Sequence, residues 1–497
     1  MNISVPEIAH TICRRVQETG GEAHVTGGWV RDHFRGVEPN DLDIEVFGMS
    51  YERLKEVVED LEPKAVGKTF GILALSTELC GGVKVDLNVP RKDNRVGVDE
   101  DGWGDTDPRM SVEEACLRRD FTVNGMAYDP LTGILTDPRN GMQDCLDGVL
   151  RATEPILFVQ DVNRVLRTAQ FLARWPGSRV DGVTMSLLRA MSYTGLEDIP
   201  KERQYEEWKK LVMKGVIPSR GLTFLSDVRA LPPELKDLQG CEQNPKHHPE
   251  GDVWVHSLLA ADAMAQVRHL VPETNGRVPV REAFCFAVLL HDVGKPSCTI
   301  TEEMLDEGHP HVAWVKERSA RSTREELLLS AIGHDTLGVG PCRGFMQRLT
   351  DAKKVTALAS EIVRQHMRPY YLCSGNAGQG AYAKSDREMR AVGGTLGLLG
   401  HMCRCDACAT SEHWMTRSLG TGTPNWEHET SERVFEWNEK FEKDATAIKP
   451  KVQGRDLIAA GRKPGRDFGR LLERALEIQD ADASLTKEEI IAQVLSE

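Results

Sequence analysis

The run Gly27-Gly28-Trp29-Val30-Arg31-Asp32, followed nine residues later by Asp41-Leu42-Asp43, constrains this chain more than any other feature. The segment His24-Val25-Thr26 reads as a strand ending at the glycines, and Trp29 to Phe34 reads as the opening of a helix. Glycines there let backbone N–H groups approach a phosphate, and a helix start favours negative charge. Asp41 to Phe47 alternates with period two, as a strand does. That period sets Asp41 and Asp43 on one face, about 7 Å apart, with Leu42 and Ile44 on the other. Two carboxylates so placed repel unless a divalent cation lies between them, the geometry of two-metal phosphoryl and nucleotidyl transfer. Val83 to Val89 is another alternating strand and carries a third candidate carboxylate, Asp86. Three such groups would fix Mg²⁺ ions and act as base toward an attacking hydroxyl.

Further along stand Arg118-Arg119-Asp120-Phe121-Thr122-Val123-Asn124, Asp137-Pro138-Arg139-Asn140-Gly141, Asp144-Cys145-Leu146-Asp147-Gly148 and Asp161-Val162-Asn163-Arg164-Val165-Leu166-Arg167. In this order and spacing the segments resemble the class II tRNA nucleotidyltransferases, the CCA-adding enzymes and bacterial poly(A) polymerases of the polymerase β superfamily. One departure is visible: Gln160 stands where that family carries Glu. The resemblance implies that Asp41 and Asp43 bind catalytic Mg²⁺, that Gly28 and Arg31 contact a triphosphate, and that Arg119 and Asn124 hold sugar and phosphates. It also implies that Arg167 contacts the nucleotide. Gln170 sits where many members have a further Arg, so that contact is not carried over.

Asp161 and Arg164 lie three apart on what reads as one helix, Phe158 to Arg174, and so project from one face. An Asp–Arg pair supplies acceptors and donors that match the edges of cytosine and adenine. Uracil and guanine leave mispaired groups at about 1–3 kcal/mol each. Such a pair would accept CTP and ATP. Between Lys92 and Met110 glycines, acids and a proline replace any period, which predicts a mobile loop.

A second chemistry follows. His256 lies in His248-Pro249-Glu250-Gly251-Asp252-Val253-Trp254-Val255-His256, and His291-Asp292-Val293-Gly294-Lys295-Pro296 follows an apolar helix, Ala283 to Leu290. Later come His334-Asp335, His366 and Asp406. Neutral imidazoles with carboxylates suit a divalent transition metal. These runs resemble the HD superfamily of metal-dependent phosphohydrolases. The resemblance implies His256, His291, Asp292 and Asp406 as ligands, with His334 and His366 as those of a second metal. It implies phosphatase or 2′,3′-cyclic phosphodiesterase activity on RNA ends. Cys403, Cys405 and Cys408 could join His401 or His413 around zinc, but they read better as reduced structural thiols.

The 497 residues suffice for two or three domains. No apolar run is long enough to span a membrane and no signal-peptide pattern opens the chain, so a soluble, cytoplasmic protein is expected. The net charge of −14 opposes RNA binding, which must then rest on local basic segments and weaken with salt. Two are present: Lys201 to Arg220, with Lys209, Lys210 and Lys214, and the tail from Lys449 to Arg474. The expected class is α+β: a polymerase β-like nucleotidyltransferase head of mixed sheet and helices (1–151), then a helical neck (152–243), an HD domain (250–415) and a helical tail (425–497). The implied activity is CCA addition to tRNA from CTP and ATP, with an appended phosphohydrolase. A CC- or A-adding enzyme, a poly(A) polymerase and an RNA-end phosphohydrolase with a merely RNA-binding head are the alternatives.

Overall fold

The computed structural model describes residues 3–39, 41–66, 72–91, 106–192, 195–375, 377–410, 428–443, 449–465, 467–482 and 484–496. Most of the expected loop (92–105), His413 and Arg466 lie outside the described residues. The chain divides into two compact units, Met1–Pro200 with Asp227–Ala230, and Lys201–Ser226 with Leu231–Glu497.

The first unit is built on a mixed sheet of seven strands: β1 (Glu22–Thr26), β2 (Asp41–Phe47), β3 (Lys64–Val66), β4 (Ile72–Ala74), β5 (Lys84–Asn88), β6 (Ala127–Asp129) and β7 (Ile134–Thr136). Their spatial order is β3-β4-β5-β2-β1-β6-β7, with β2 and β5 parallel and the other pairs antiparallel. The helix Glu7–Glu18 buries Ala9, Ile12, Cys13 and Val16, a spacing that aligns them in one stripe, and packs on β1. Beyond the sheet, the two downstream motifs interlock. The Asp137 carboxylate accepts from the backbone N–H groups of Gly141 and Met142 at 2.6 and 3.0 Å, capping the helix Gly141–Asp147. Asp144 in that helix accepts from Thr122 Oγ1 at 2.6 Å and from Arg151 Nε at 3.0 Å.

The single helix expected from Phe158 to Arg174 is two. One turn spans Pro155–Phe158, and a second helix begins at Arg164 and runs to Arg174. Between them Asp161 Oδ1 accepts from the Asn163 N–H at 3.1 Å, a local side-chain bond that competes with helix continuation. Asp161 therefore precedes the helix that Arg164 opens, and the two do not share a helical face.

The second unit is helical. Val253–Val267, Val280–Leu290, Lys353–Gln365 and Leu396–Ala409 pack together around its core. Val280–Leu290 is apolar on nearly every side because it is buried on nearly every side. Asp252 caps the first of these helices by accepting from Val255 N at 2.9 Å. The helix Lys201–Lys214 packs against Val280–Leu290, with Tyr205 stacked on Phe286 and Trp208 edge-on to Phe345. Three of its four lysines are paired within the unit: Lys201 with Asp351 at 2.5 Å, Lys209 with Glu282 at 2.7 Å and Lys210 with Glu207 at 3.1 Å. The charge of Lys201, Lys209 and Lys210 in the expected basic segment is thus offset by acidic partners. In the tail, Gly454–Ala459, Phe468–Ala481 and Lys487–Ser496 enclose a small core of Val452, Leu457, Ala475, Ile478, Ile490 and Val494. Arg455, Arg462, Lys463 and Arg470 are exposed there. No helix among the described residues is long and apolar enough to cross a membrane.

Candidate active sites

Strand register assembles the first site. Parallel pairing of β2 and β5 sets Asp43 opposite Asp86 and Asp41 opposite Lys84, and antiparallel pairing with β1 sets Asp43 opposite Thr26. The three sequence-predicted carboxylates therefore lie on two adjacent strands where β1 reaches the glycine turn. Burial, together with Asp86 and Asp41 nearby, pushes the Asp43 carboxyl up to about 6 against the pull of Arg119. Lys84 Nζ lies 3.5 Å from Asp41 and 3.5 Å from Asp86. The crowding of oxygens around one ammonium marks a place that demands positive charge, and the donor set is the hard one that Mg²⁺ takes. Lys84 was not anticipated; its opposition to Asp41 is a matter of register alone.

Gly27 makes the turn at φ +64° and ψ −123°, a conformation open to glycine and costly for other residues. A Cβ there would also sit 3.1 Å from Arg119 Nη1 and 3.6 Å from Asp43 Oδ2. Arg119 Nη2 donates to Thr26 Oγ1 at 2.9 Å and to Glu45 Oε2 at 2.8 Å, which holds the guanidinium beside the turn. Gly28 opens the helix Gly28–Phe34, and Arg31 on that helix donates to Asn124 Oδ1 at 2.8 Å. Asn124 Nδ2 in turn donates to Asp120 Oδ1 at 2.8 Å, and Arg167 Nε donates to Asp120 Oδ2 at 2.8 Å. Burial alone would raise the Asp120 carboxyl, but Arg167 and the bond from Asn124 hold it well below the usual carboxylate range. Asp120 thus links Arg31, Asn124 and Arg167 into one network. Its sequence signal was only its place inside the Arg118-to-Asn124 motif. Arg164, buried, donates to the carbonyls of Leu157 and Arg118 at 3.1 Å each and lies over the Phe158 ring.

The second unit gathers the six predicted residues from five segments. His256 Nε2 lies 3.2 Å from His291 Nε2 and 3.0 Å from Asp406 Oδ1, and His334 Nε2 lies 3.0 Å from His366 Nε2. Asp292 joins the groups: Oδ2 is 3.3 Å from His291 Nε2, and Oδ1 is 3.3 Å from His334 Nε2. In each ring Nδ1 faces an acceptor, namely Glu250 for His256 and the carbonyls of Val288, Ala331 and Val363 for His291, His334 and His366. The Nδ1 atoms then carry the protons, so lone pairs on Nε2 point at one another. That arrangement is repulsive without a cation and is the one metal-ligating histidines adopt. The residues fit one or two divalent metal ions. Asp292, His334, His366 and Asp406 open onto a cavity of about 870 Å³, whose wall also carries Lys295, Arg321 and Tyr370. Among the described residues no cysteine joins a metal-ligating group, and Cys403 and Cys405 are buried with their thiols pushed up by burial.

Residues that the sequence left without a role complete this site. Lys295 Nζ lies 2.7 Å from Asp292 Oδ2 and donates to Gln243 Oε1 at 2.7 Å; Tyr370 Oη donates to Asp406 Oδ2 at 2.9 Å. Gly294 is required by close approach, since a Cβ there would lie 2.1 Å from the His334 carbonyl oxygen and 2.6 Å from Gly338 N. Gly294→Ala is expected to push the Asp292 loop off the helix start at His334, destabilising the fold by about 1–3 kcal/mol. Thermal unfolding and metal stoichiometry, both reduced, would register it; an unchanged pair of values would refute the contact.

Residues 23–151 match the family model described as the Poly A polymerase head domain. A multifunctional CCA protein of Xanthomonas campestris pv. campestris (strain B100) is 30% identical over 356 residues, covering 70% of this chain and 76% of that relative. Another, from Nitrosospira multiformis, is 30% identical over 379 residues, covering 74% of this chain and 80% of its own length. Among solved structures, the Bacillus stearothermophilus CCA-adding enzyme in complex with CTP superposes with a TM-score of 0.62 at 19% identity, covering 99% of this chain and 96% of that one. The Thermotoga maritima CCA-adding enzyme complexed with tRNA gives 0.53 at 20% identity, covering 100% and 96%. Those two likenesses establish a common fold. Sheet, glycine turn and paired carboxylates define a nucleotidyltransferase head of the polymerase β type. With relatives at this identity and coverage, the chain belongs to the class II CCA-adding enzyme family, which includes the multifunctional CCA proteins.

Proposed function

We propose that this protein adds CCA to tRNA 3′ ends from CTP and ATP without a nucleic-acid template, in the cytoplasm, and that its second unit is an HD phosphohydrolase acting on RNA 3′ ends. The observation that carries the first part is the register that puts Asp41, Asp43 and Asp86 side by side at the Gly27 turn. Mg²⁺ held by these carboxylates would supply the charge that activates the attacking 3′-hydroxyl and neutralises the departing pyrophosphate. Asp86 accepts the hydroxyl proton. The Gly28 backbone and Arg31 bind the triphosphate, and Arg119 and Asn124 hold sugar and phosphates; the Arg31–Asn124–Asp120–Arg167 network keeps these donors in place.

Asp161 and Arg164 select the base. Two backbone carbonyls and the Phe158 ring fix the plane of the Arg164 guanidinium, so its orientation is set before a nucleotide enters. Asp161→Ala is expected to retain addition but to relax discrimination against UTP and GTP by about 10- to 100-fold, the worth of one buried polar mispairing. Comparing kcat/KM for the four nucleotides measures it, and unchanged selectivity would remove Asp161 from base reading.

A terminal-addition assay with tRNA ending at the discriminator base decides the main reading. Two C residues from CTP alone, and a third residue only when ATP is added, support CCA addition. Stalling after CC, or runs of A, would replace it with the partial enzyme or the poly(A) polymerase. For the second unit, the convergence of four Nε2 atoms on Asp292 and Asp406 supports a metal-dependent hydrolase.

A further inference from the structure

Three of the four converging histidines turn Nδ1 to a neutral main-chain carbonyl: His291 to Val288, His334 to Ala331 and His366 to Val363. His256 is the exception. Its Nδ1 lies 2.8 Å from Glu250 Oε1, and the Glu250 side chain is 0% exposed. The same oxygen lies 2.8 Å from Nδ1 of His248, while Glu250 Oε2 is buried without a hydrogen-bond partner. A buried carboxylate with an unsatisfied oxygen is costly unless positive charge stands close by.

The two groups also differ in their own charge. One comprises His256, His291, Asp406 and Asp292 Oδ2; the other comprises His334, His366 and Asp292 Oδ1. In the first, Tyr370 ties Asp406 Oδ2 and leaves Oδ1 turned inward to His256 at 3.0 Å. In the second, the shared Asp292 is the one carboxylate among the described residues. Both histidines of the second group line the cavity, whereas the first group reaches it through Asp406, and neither His256 nor His291 is among the described residues lining it.

Resting on the HD reading above, we infer that Glu250 is a positioning residue that makes the two halves unequal: a divalent transition metal binds more tightly at the His256 half and exchanges more readily at the His334–His366 half. An imidazole that donates to a carboxylate is a stronger ligand than one that donates to a carbonyl, and such outer partners are worth 10- to 100-fold in metal affinity. The first half combines that partner with two carboxylate ligands. The second has neither advantage, and both of its histidines line the cavity.

The test is a Co²⁺ titration of the chelator-stripped full chain, followed by calorimetry and by the visible Co²⁺ absorption. It is run in an Asp41→Ala/Asp43→Ala background so that the head carboxylates do not contribute. Two unequal steps are expected. Glu250→Gln keeps the shape and the accepting oxygen but removes the charge; it should weaken the tighter step about 10- to 100-fold and spare the weaker one. His366→Ala should remove only the weaker step. Two equal steps in the parent, or a Glu250→Gln protein that keeps the tighter step unchanged, would overturn the inference. So would loss of the tighter step in His366→Ala. If the Gln variant misfolds, the parent and His366→Ala still test the inequality, and Glu250→Asp, which keeps the charge but withdraws it from His256, should weaken the tighter step; an unchanged tighter step there would overturn the role of Glu250. Failure of the HD reading looks different: the parent binds no Co²⁺, or Asp292→Ala binds as much as the parent.

Discussion

Asp43→Ala is expected to abolish addition from both CTP and ATP while leaving metal binding in the second unit intact. Asp43 lies between Thr26 and Asp86 in register, and burial beside Asp86 and Asp41 has already raised its carboxyl to about 6. Its charge is therefore tolerated only because Arg119 and Lys84 are near, and a metal ion held there would add the compensation that they do not complete. As a ligand of Mg²⁺ in the proposed reaction, Asp43 would contribute several kcal/mol of transition-state stabilisation, so its loss should cost at least about 10³-fold in kcat. Asp43→Asn keeps the size and isolates the charge. Both variants should melt close to the parent, and the terminal-addition assay reads the loss. Addition within tenfold of the parent in either would take Asp43 out of the catalytic site.

Asp292→Ala is expected to empty the second site of metal and to end hydrolysis there, with nucleotide addition retained. One oxygen of Asp292 serves His291 and the other serves His334, so this carboxylate bridges both groups. It also neutralises Lys295, whose buried ammonium lies 2.7 Å away. Removing one partner of a buried ion pair costs about 3–5 kcal/mol, so the melting temperature should fall as well. To separate these effects, Lys295→Met in the Asp292→Ala protein should recover stability without recovering metal. Metal analysis, thermal unfolding and hydrolysis of a 2′,3′-cyclic nucleotide together decide the matter. Full metal content in Asp292→Ala would refute the bridging role.

Much of the first site was legible because strand periodicity fixes which side chains share a face. Asp41, Asp43 and Asp86 could be grouped from alternation, and the structure sets them on neighbouring strands. The Asp161–Arg164 pair was misplaced for a corresponding reason. Spacing by three suggests one helical face only if the helix is continuous, and the Asp161–Asn163 bond ends that continuity. The basic segment from Lys201 was over-read in another way: charge in sequence says nothing about neutralisation by Glu282 or Asp351, far along the chain. Glu250 stood in plain view within the run that leads to His256, yet its role depends on where two imidazoles turn their Nδ1 atoms.

By itself, then, the sequence determined the α+β class, the strand that carries Asp41 and Asp43, the glycine turn before it, and the histidines and aspartates of the second site. The strand and the turn follow from local periodicity and from backbone conformations that only certain residues accept, whereas the histidines and aspartates were picked out by donor chemistry together with the resemblance to the HD superfamily. Tertiary structure alone decided that Lys84 sits between Asp41 and Asp86, that Asp120 joins Arg31 to Arg167 through Asn124, and that Asp292 bridges two histidine pairs. Those contacts link residues distant in the chain. Hydrogen bonds and ion pairs act only over a few ångströms, so the partners become definite once strand register and helix packing have brought them within reach.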